Sequence, residues 1–381
     1  MDFSKIVIIV VAFNRYEPFK RLMGSIANII TIHKDIPLLI SIDFNNENQK
    51  ILEYAEAFEW KYGTKEVLKH QERLGLKKHI INSGNFTKKY DAVIILEDDL
   101  FVSPHFYDYA FSACNFYKNE FNVAGISLYS YERAESANFT FKPLYDNYDS
   151  YFMQYPSSWG QCWLNTHWQD FMNWLTDNVD ENKINSILPD YISIWPETSW
   201  KKFFAAYLVA TNKYFVYPRI GLSTNFGEVG QHHVNQLNIR QVDLLSKKIN
   251  FNFSSFNNSH AKYDIAFELN YDELVKLNPS LNKLPRFEID LYCKKKHNPN
   301  DLVLTASKSQ NNIYSFSNKL FPPINNLIFN IPGDELSISK FKDVISERFG
   351  IYKKPFFVEF KFLCREILRI TYYKFFINKR K

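Results

Sequence analysis

The first hundred residues alternate between short apolar runs and segments of helical spacing, and this alternation restricts the fold more than any other feature of the sequence. The run K-I-V-I-I-V-V-A-F is continuously apolar and β-branched, as in a strand buried on both faces of a parallel sheet. We predict further strands at P-L-L-I-S-I-D, at E-V-L-K-H and at residues 90–96, with helices between them. The resulting βαβαβαβ order predicts a doubly wound α/β sheet.

Polar residues lie at the ends of the predicted strands. In doubly wound sheets, ligands bind in the crevice beyond the carboxyl ends of the strands, so we expect these side chains to share one site. They are Asn14 and Arg15, Asp43, Arg73, and Glu97 with Asp98 and Asp99. Four such positions on one edge indicate a ligand site more strongly than any single motif does.

The last of these positions, V-I-I-L-E-D-D-L-F-V-S-P, places three adjacent carboxylates between two apolar segments. Neighbouring carboxylates repel one another and resist burial unless a positive group lies between them. A glycosidase pair is excluded, because its carboxylates stand about 5 Å or more apart and flank the substrate. The motif instead suits Mg²⁺ or Mn²⁺, whose remaining ligands are water and substrate phosphates. A solvated acidic turn is the alternative, and the flanking core segments count against it.

Beyond the predicted parallel strands, two regions of the chain differ in amino-acid composition. Residues 120–235 are rich in aromatic side chains, and residues 240–350 are rich in Asn and Ser. We predict a main domain at residues 1–240, a small accessory subdomain at 241–350 and a basic, aromatic helix at 351–381. Four scattered cysteines without a C-x-x-C pair indicate reduced thiols and a cytoplasmic protein.

The net charge of +5 is concentrated at the C-terminus. Residues 355–381 hold seven Lys and Arg against two Glu, so this tail accounts for the whole excess. A nucleic-acid-binding protein would spread basic charge over a face of its body, so we expect no nucleic-acid partner. Basic and aromatic residues at helical spacing suit a helix lying on an anionic surface, such as the inner face of a bacterial cytoplasmic membrane. A docked terminal helix is the alternative.

The order of these motifs resembles that of GT-A-fold glycosyltransferases. The resemblance covers about residues 5–235, and the sequence is especially similar to the N-acetylglucosaminyltransferase I-like group and related bacterial sugar transferases. It implies metal-dependent, inverting transfer of a hexosyl or N-acetylhexosaminyl group from a nucleotide-sugar donor, with a UDP-sugar favoured. The implied acceptor is a glycan or a lipid-linked molecule of surface polysaccharide synthesis. The segments that carry it are V-V-A-F-N-R-Y-E-P-F-K-R, S-I-D, R-L-G-L-K-K-H-I, V-I-I-L-E-D-D-L-F-V-S-P-H-F, S-S-W-G-Q-C-W-L-N-T-H-W and Y-P-R-I-G-L-S-T-N-F-G-E-V-G-Q-H-H.

The same resemblance implies roles for single residues. Asp99, the last carboxylate of the D-x-D-type motif, would bind Mn²⁺ or Mg²⁺, while Glu97 and Asp98 would face the sugar nucleotide. In related enzymes a His near the end of the matched region closes over the diphosphate, and here His232 and His233 both stand at this point. Ordinary loop histidines are the alternative. The other residues of the implied nucleotide pocket are Phe13, Asn14 and Arg15, Asp43 at the base or ribose, and Arg73, Gly75 and Lys78 in the adjoining loop.

The sequence departs from the family pattern at the catalytic base. Related sequences carry an Asp just after a Trp ahead of the Y-P strand, whereas Trp200 is followed here by Lys201 and Lys202. An inverting transferase needs a carboxylate that accepts the proton of the acceptor hydroxyl. We predict Glu197, at the start of a helix, as this base, with Asp190 in reserve. The alternative interpretation of Glu197 is a first-turn helix acid without a catalytic role.

Two other functions fit part of the pattern. A sugar-phosphate nucleotidyltransferase also combines a doubly wound sheet with acidic metal ligands. Its Gly-rich phosphate loop is missing from the first turn, A-F-N-R-Y-E-P. A non-catalytic relative that binds nucleotide sugars would explain the missing Asp.

Overall fold

The computed structural model describes residues 5–178, 180–228, 238–247, 250–345 and 363–369. The chain divides into two compact units, Met1–Leu277 and Asn278–Lys381. The boundary predicted at residue 240 lies inside the first unit. No helix in the described part of the chain is long and apolar enough to cross a membrane.

The elements of the first unit alternate as the sequence predicts over its first hundred residues. The strands are β1 (Ile6–Ala12), β2 (Leu38–Ile42), β3 (Lys65–Lys69), β4 (Ala92–Glu97), β5 (Leu100–Val102), β6 (Val123–Ser127), β7 (Ser150–Met153), β8 (Gln161–Leu164), β9 (Tyr214–Pro218), β10 (Ser223–Asn225) and β11 (Lys262–Tyr263). The helices are α1 (Tyr16–Ala27), α2 (Gln49–Ala57), α3 (Leu76–Gly84), α4 (Phe106–Tyr117), α5 (Asn165–Asp177), α6 (Glu181–Ile187), α7 (Asp190–Ser193), α8 (Trp200–Thr211) and α9 (Tyr271–Leu277).

Within the described residues, nine strands form one mixed sheet in the order β11-β7-β9-β6-β8-β4-β1-β2-β3. The four strands predicted from the sequence form its parallel half, because β1 pairs in parallel with β2 and β4, and β2 with β3. In the other half the directions are mixed, and β8 runs antiparallel to both of its neighbours, β4 and β6. The predicted α/β class with a doubly wound mixed sheet is confirmed.

The centre of the parallel half is fully covered. All seven residues of β1 are buried, which is why its sequence shows no polar alternation. Helix α1 belongs to the same apolar core and buries Phe19, Leu22, Met23 and Ile26 at the spacing of one helical face. Burying each such side chain contributes about 1.5–3 kcal/mol relative to leaving it exposed. This packing keeps the carboxyl ends of β1, β2 and β4 on a common edge.

A short antiparallel ribbon follows the acidic segment. Strand β5 pairs with β10, with Leu100 opposite Asn225 and Val102 opposite Ser223. The N–H of Phe226 donates to the carbonyl of Asp99 at 3.5 Å. The ribbon therefore gives the apolar L-F-V segment a partner and brings the chain after β10 beside the carboxylates.

The second unit contains a smaller sheet. Its described elements are β12 (Glu288–Ile289), β13 (Leu302–Thr305), β14 (Tyr314–Phe316), α10 (Asn325–Ile328) and β15 (Leu336–Lys340). These strands pair in the order β12-β13-β15-β14. Of the basic tail, residues 363–369 are described, and they are helical.

Candidate active site

The carboxylates form a tight turn at the carboxyl edge of the parallel strands. Strand β4 ends at Glu97, and the next two residues, Asp98 and Asp99, make the turn before β5. Glu97 pairs with Val11 of β1, so β1 ends at the same edge. This edge therefore carries both the acidic turn and the loop that contains Arg15.

Arg15 supplies the positive charge between two of the carboxylates. Its Nη2 donates to Oδ1 of Asp98, and its Nη1 donates to Oδ2 of Asp99 at 3.4 Å. Burial raises the pKa of Asp98 to about 6, although the Arg15 cation acts in the opposite direction. Arg15 is thus the group that allows adjacent carboxylates to lie in the interior.

Two carboxylate oxygens of the turn have no hydrogen-bond partner among the described residues. They are Oε1 of Glu97 and Oδ1 of Asp99, and both are buried. Burial, together with the charges of Asp99 and Asp98, raises the pKa of Glu97 to about 8. Because buried polar atoms are nearly always paired in folded proteins, these oxygens indicate a place where a cation or a hydroxylated ligand binds.

Asp99 fits the role of a metal ligand through its unpaired, buried Oδ1. Within the residues that the structure describes, no group of three or more His, Cys, Asp or Glu side chains is arranged to hold a metal ion. A divalent cation at Asp99 would need further ligands from elsewhere. Mg²⁺ and Mn²⁺ accept water and diphosphate oxygens in that role.

Asp43 fixes the loop that precedes α3. Its Oδ1 accepts a hydrogen bond from the N–H of Leu74 at 2.8 Å, and its Oδ2 accepts one from the N–H of Gly75 at 3.0 Å. Gly75 has a φ of 73°, a backbone conformation that favours glycine. The Asp43 carboxylate therefore holds the backbone of this loop in place through the two N–H groups. Its predicted contact with the base or ribose stays a prediction.

Arg73 and Phe13 form a stacked pair beside this loop. The guanidinium carbon of Arg73 lies 4.5 Å from the centroid of the Phe13 ring, and Arg73 is exposed. The pair presents a positive charge and an aromatic ring together. Lys78 is also exposed, at 3.8 Å from Glu72, and Asn14 is exposed. Their roles in nucleotide binding stay predictions.

The chain next to the histidine pair is held by an arginine. Both terminal nitrogens of Arg21 donate to the carboxylate of Glu228, at 2.8 and 2.6 Å. Arg21 also stacks on the ring of Phe226 at 4.0 Å. His232 and His233 lie outside the described residues, so their predicted closure over a diphosphate stays a prediction.

The two carboxylates predicted as the catalytic base are both exposed. Glu197 lies in the turn before α8 and not at the start of a helix, because α8 begins at Trp200. A hydrogen bond with Glu181 raises the pKa of Glu197. Asp190 is the first residue of the short helix α7. The catalytic role of both carboxylates stays a prediction.

A second polar cluster was not predicted from the sequence. It consists of Glu135, Lys201 and Arg240, and we name it the Glu135 cluster. Lys201 Nζ lies 3.4 Å from Oε1 of Glu135, and Arg240 Nη1 lies 3.8 Å from the same oxygen. The hydroxyls of Tyr131 and Tyr155 donate to the Glu135 carboxylate at 2.9 and 2.7 Å. The run W-K-K-F-F held a signal for this cluster, since a lysine in a buried helical turn requires a negative partner.

Gln161 is a further residue that the sequence analysis missed. It lies opposite Ile95 in the pairing of β8 with β4, and Glu97 follows two residues later on β4. Side chains that are paired across strands, or two apart along one strand, point to the same face, so Gln161 and Glu97 share a face. Gln161 is fully buried, and neither polar atom of its amide has a partner among the described residues.

Comparisons with known proteins add distant structural likenesses. No family model and no curated protein matches the chain. The chain is similar to residues 1–349 of S. aureus TarS, with 11% identity and a TM-score of 0.36 over 58% of this chain and 60% of that one. It is similar to the same TarS fragment in complex with UDP, with 14% identity and a TM-score of 0.33 over 56% and 60%. It is also similar to the mannosyltransferase PcManGT of Pyrobaculum calidifontis in complex with GDP-Man and Mn²⁺, with 10% identity and a TM-score of 0.32 over 45% and 47%.

The chain spans 60% or less of the length of each of these proteins. Likeness of this extent assigns neither a family nor an activity.

Proposed function

We propose that the chain is a metal-dependent GT-A-fold glycosyltransferase that moves a sugar from a nucleotide-diphosphate donor to a glycan or lipid-linked acceptor. The observation that carries the proposal is the pair of buried, unpaired oxygens on Glu97 and Asp99 at the carboxyl edge of the sheet. Ligands of doubly wound sheets bind at this edge. The order of motifs that resembles GT-A glycosyltransferases supports the same function.

Each residue of the edge has a role in this proposal. Asp99 would hold Mn²⁺ or Mg²⁺, and the bound cation offsets the negative charge that develops on the diphosphate as the glycosidic bond breaks. Arg15 holds Asp98 and Asp99 in position through its hydrogen bonds. Arg73 and Phe13 offer the nucleotide a cationic and aromatic surface. The UDP-sugar donor, the inverting outcome and the role in bacterial surface polysaccharide synthesis rest on the resemblance alone.

Replacing Asp99 with alanine is expected to weaken metal-dependent binding of a nucleoside diphosphate by about 100-fold or more. The variant removes the unpaired, buried Oδ1 that we assign to the cation. Calorimetric titration of the wild type and the variant with UDP and with GDP, each with Mn²⁺ and each with EDTA, measures the loss.

Asp91→Ala is the matched control for this titration. Asp91 precedes β4 at the opposite end of the strand, where its Oδ2 accepts a hydrogen bond from the N–H of Lys5 at 2.9 Å. The control is expected to bind as the wild type does. If neither nucleotide binds to the wild type in the presence of Mn²⁺, the proposed function is wrong.

The basic tail is proposed to bind an anionic membrane surface. The described helical residues 363–369 expose Leu363, Ile367 and Leu368, and basic residues near such a surface each contribute about 1 kcal/mol. Deleting residues 355–381 is expected to abolish sedimentation with vesicles that contain anionic lipid, while nucleotide binding is kept. Vesicles of neutral lipid are the control, and unchanged sedimentation after the deletion would contradict the proposal.

A further inference from the structure

The Glu135 cluster is connected to the acidic turn through the segment that contains Trp159 and Gln161. The Arg240 guanidinium lies 4.8 Å from the centroid of the Trp159 ring, and Trp159 precedes Gln161 by two residues. Gln161 shares a face with Glu97, and its unpaired amide offers further hydrogen bonds beside the turn. A series of neighbouring residues therefore links the acidic turn to the Glu135 cluster.

The carboxylate of Glu135 is both reachable and ionised. Its side chain is 21% exposed and that of Arg240 is 26% exposed, so a ligand can contact the cluster. Burial alone would raise the pKa of Glu135, but the cations of Lys201 and Arg240 outweigh it and hold the pKa below its ordinary value. A carboxylate that is ionised at neutral pH is the form that accepts a proton.

An aromatic ring borders the cluster. The Arg240 guanidinium lies 4.8 Å from the centroid of the Trp159 ring, and Lys201 Nζ lies 5.6 Å from it. The carbonyl of Trp159 accepts a hydrogen bond from the hydroxyl of Ser223, which belongs to the ribbon that follows the acidic turn. Trp159 is partly exposed beside these hydrogen-bonding groups, and a saccharide or polyol carries both C–H and O–H groups that suit such a mixed surface.

We propose that Glu135 is the base that accepts the proton of the acceptor hydroxyl, and that Lys201 and Arg240 are positioning residues for its carboxylate. This inference rests on the proposed glycosyltransferase function, and the acceptor is a saccharide or polyol bound against Trp159. The acceptor oxygen forms a bond to the anomeric carbon of the donor sugar. The bond from that carbon to the diphosphate breaks, and the nucleoside diphosphate leaves with the electron pair. The hydroxyl proton passes to Glu135.

Glu135 suits this step better than Glu197 does. Glu197 is exposed, and the neighbouring carboxyl group of Glu181 raises its pKa. Glu135 is instead held by two tyrosine hydroxyls and a lysine. The position after Trp200, where related sequences carry an Asp, is occupied by Lys201, and this lysine contacts the carboxylate that a different segment supplies.

The test compares the wild type with Glu135→Gln and with the control Glu132→Gln, an exposed acid on the same loop. UDP-glucose, UDP-N-acetylglucosamine and GDP-mannose are each supplied with Mn²⁺, and release of the nucleoside diphosphate is measured with water as the acceptor. Glu135→Gln is expected to lower turnover by about 10²–10⁴-fold, the contribution of general base catalysis. Calorimetry is expected to show unchanged affinity of this variant for UDP and GDP, and the control is expected to match the wild type.

A second variant separates the loss of a base from a loss of structure. Azide has no proton to lose, so it can attack the anomeric carbon without a base. We expect added azide to restore nucleoside diphosphate release by Glu135→Ala and to yield the glycosyl azide. If Glu135 had only a structural role, added azide would not restore the activity of Glu135→Ala.

Two results would overturn the assignment while leaving the proposed function intact. One is wild-type turnover by Glu135→Gln, whether or not Glu197→Gln loses turnover. The other is a Glu135→Ala variant that binds UDP or GDP normally and stays inactive with azide. If the wild type binds neither nucleotide, the proposed function fails and this inference fails with it.

Discussion

Replacing Arg15 with methionine is expected to lower the free energy of unfolding by about 3–5 kcal/mol, the usual effect of removing one partner of a buried charge pair. Methionine keeps most of the volume of the arginine stem but leaves Asp98 and Asp99 without their cation. The side chain of Asp98 is only 5% exposed, so its carboxylate is poorly hydrated once the guanidinium is lost. The cost therefore comes from an uncompensated carboxylate in the interior.

Denaturant unfolding at pH 7.5 measures this loss of stability. Two further variants test whether the loss comes from the buried carboxylate. Arg133→Met replaces an exposed arginine and is expected to change stability by less than about 0.5 kcal/mol. The double variant Arg15→Met with Asp98→Asn removes the orphaned charge as well, and it should recover part of the loss. If the double variant is no more stable than Arg15→Met, repulsion and burial of Asp98 are not what Arg15 offsets.

Acid is expected to lower the free energy of unfolding through protonation of His79. This residue lies in α3, the helix that follows the loop held by Asp43. Its Nε2 is 2.7 Å from Oγ of Ser41, which also lies 3.0 Å from Nε2 of His70. Burial, and secondly the neighbouring His70, lower the pKa of His79 to about 4. At pH values between the ordinary pKa of about 6.5 and this value, His79 binds a proton in the unfolded chain but not in the folded chain. Stability therefore falls as the pH drops through this range, by about 1.4 kcal/mol for each pH unit.

His79→Gln removes the titrating group and keeps a side chain that can hydrogen-bond to Ser41. The difference in unfolding free energy between variant and wild type is expected to shift in favour of the variant by about 2–3 kcal/mol between pH 7 and pH 4.5. Denaturant unfolding at both pH values provides the measurement. Any effect of the substitution on packing is also present at pH 7, so it cancels from the change in this difference between the two pH values. A difference that stays constant with pH would show that His79 is not the source of the acid sensitivity.

The parallel half of the sheet was predictable from local patterns. Continuous β-branched runs and helical spacing report how much of each segment is buried, so β1 to β4 and the helices between them could be placed before any contact was known. The polar residues after these strands could be placed on one edge for the same reason, since parallel strands end together. The metal role of Asp99 followed as a chemical expectation from its neighbours and from the resemblance.

The partners of the site residues were not predictable in this way. Arg15 and Asp99 are 84 positions apart in the chain, and Lys201 and Glu135 are 66 apart. The sequence marked Lys201 only as the residue standing where an Asp was expected. It showed Gln161 only as one letter between a glycine and a cysteine, and its unpaired amide beside Glu97 had no local signal.

The reason lies in the order of the strands. Strand β8 inserts antiparallel between β4 and β6, and this insertion sets Gln161 opposite Ile95 on the face of Glu97. A strand's own pattern shows that its side chains are buried, but it does not show which strand lies beside it. The elements of the parallel half and the chemistry of the acidic turn could therefore be predicted from the sequence alone. The tertiary fold decided which charged side chains come into contact. Those contacts join segments that are far apart in the chain, and the local pattern of one segment does not predict which other segment it will contact.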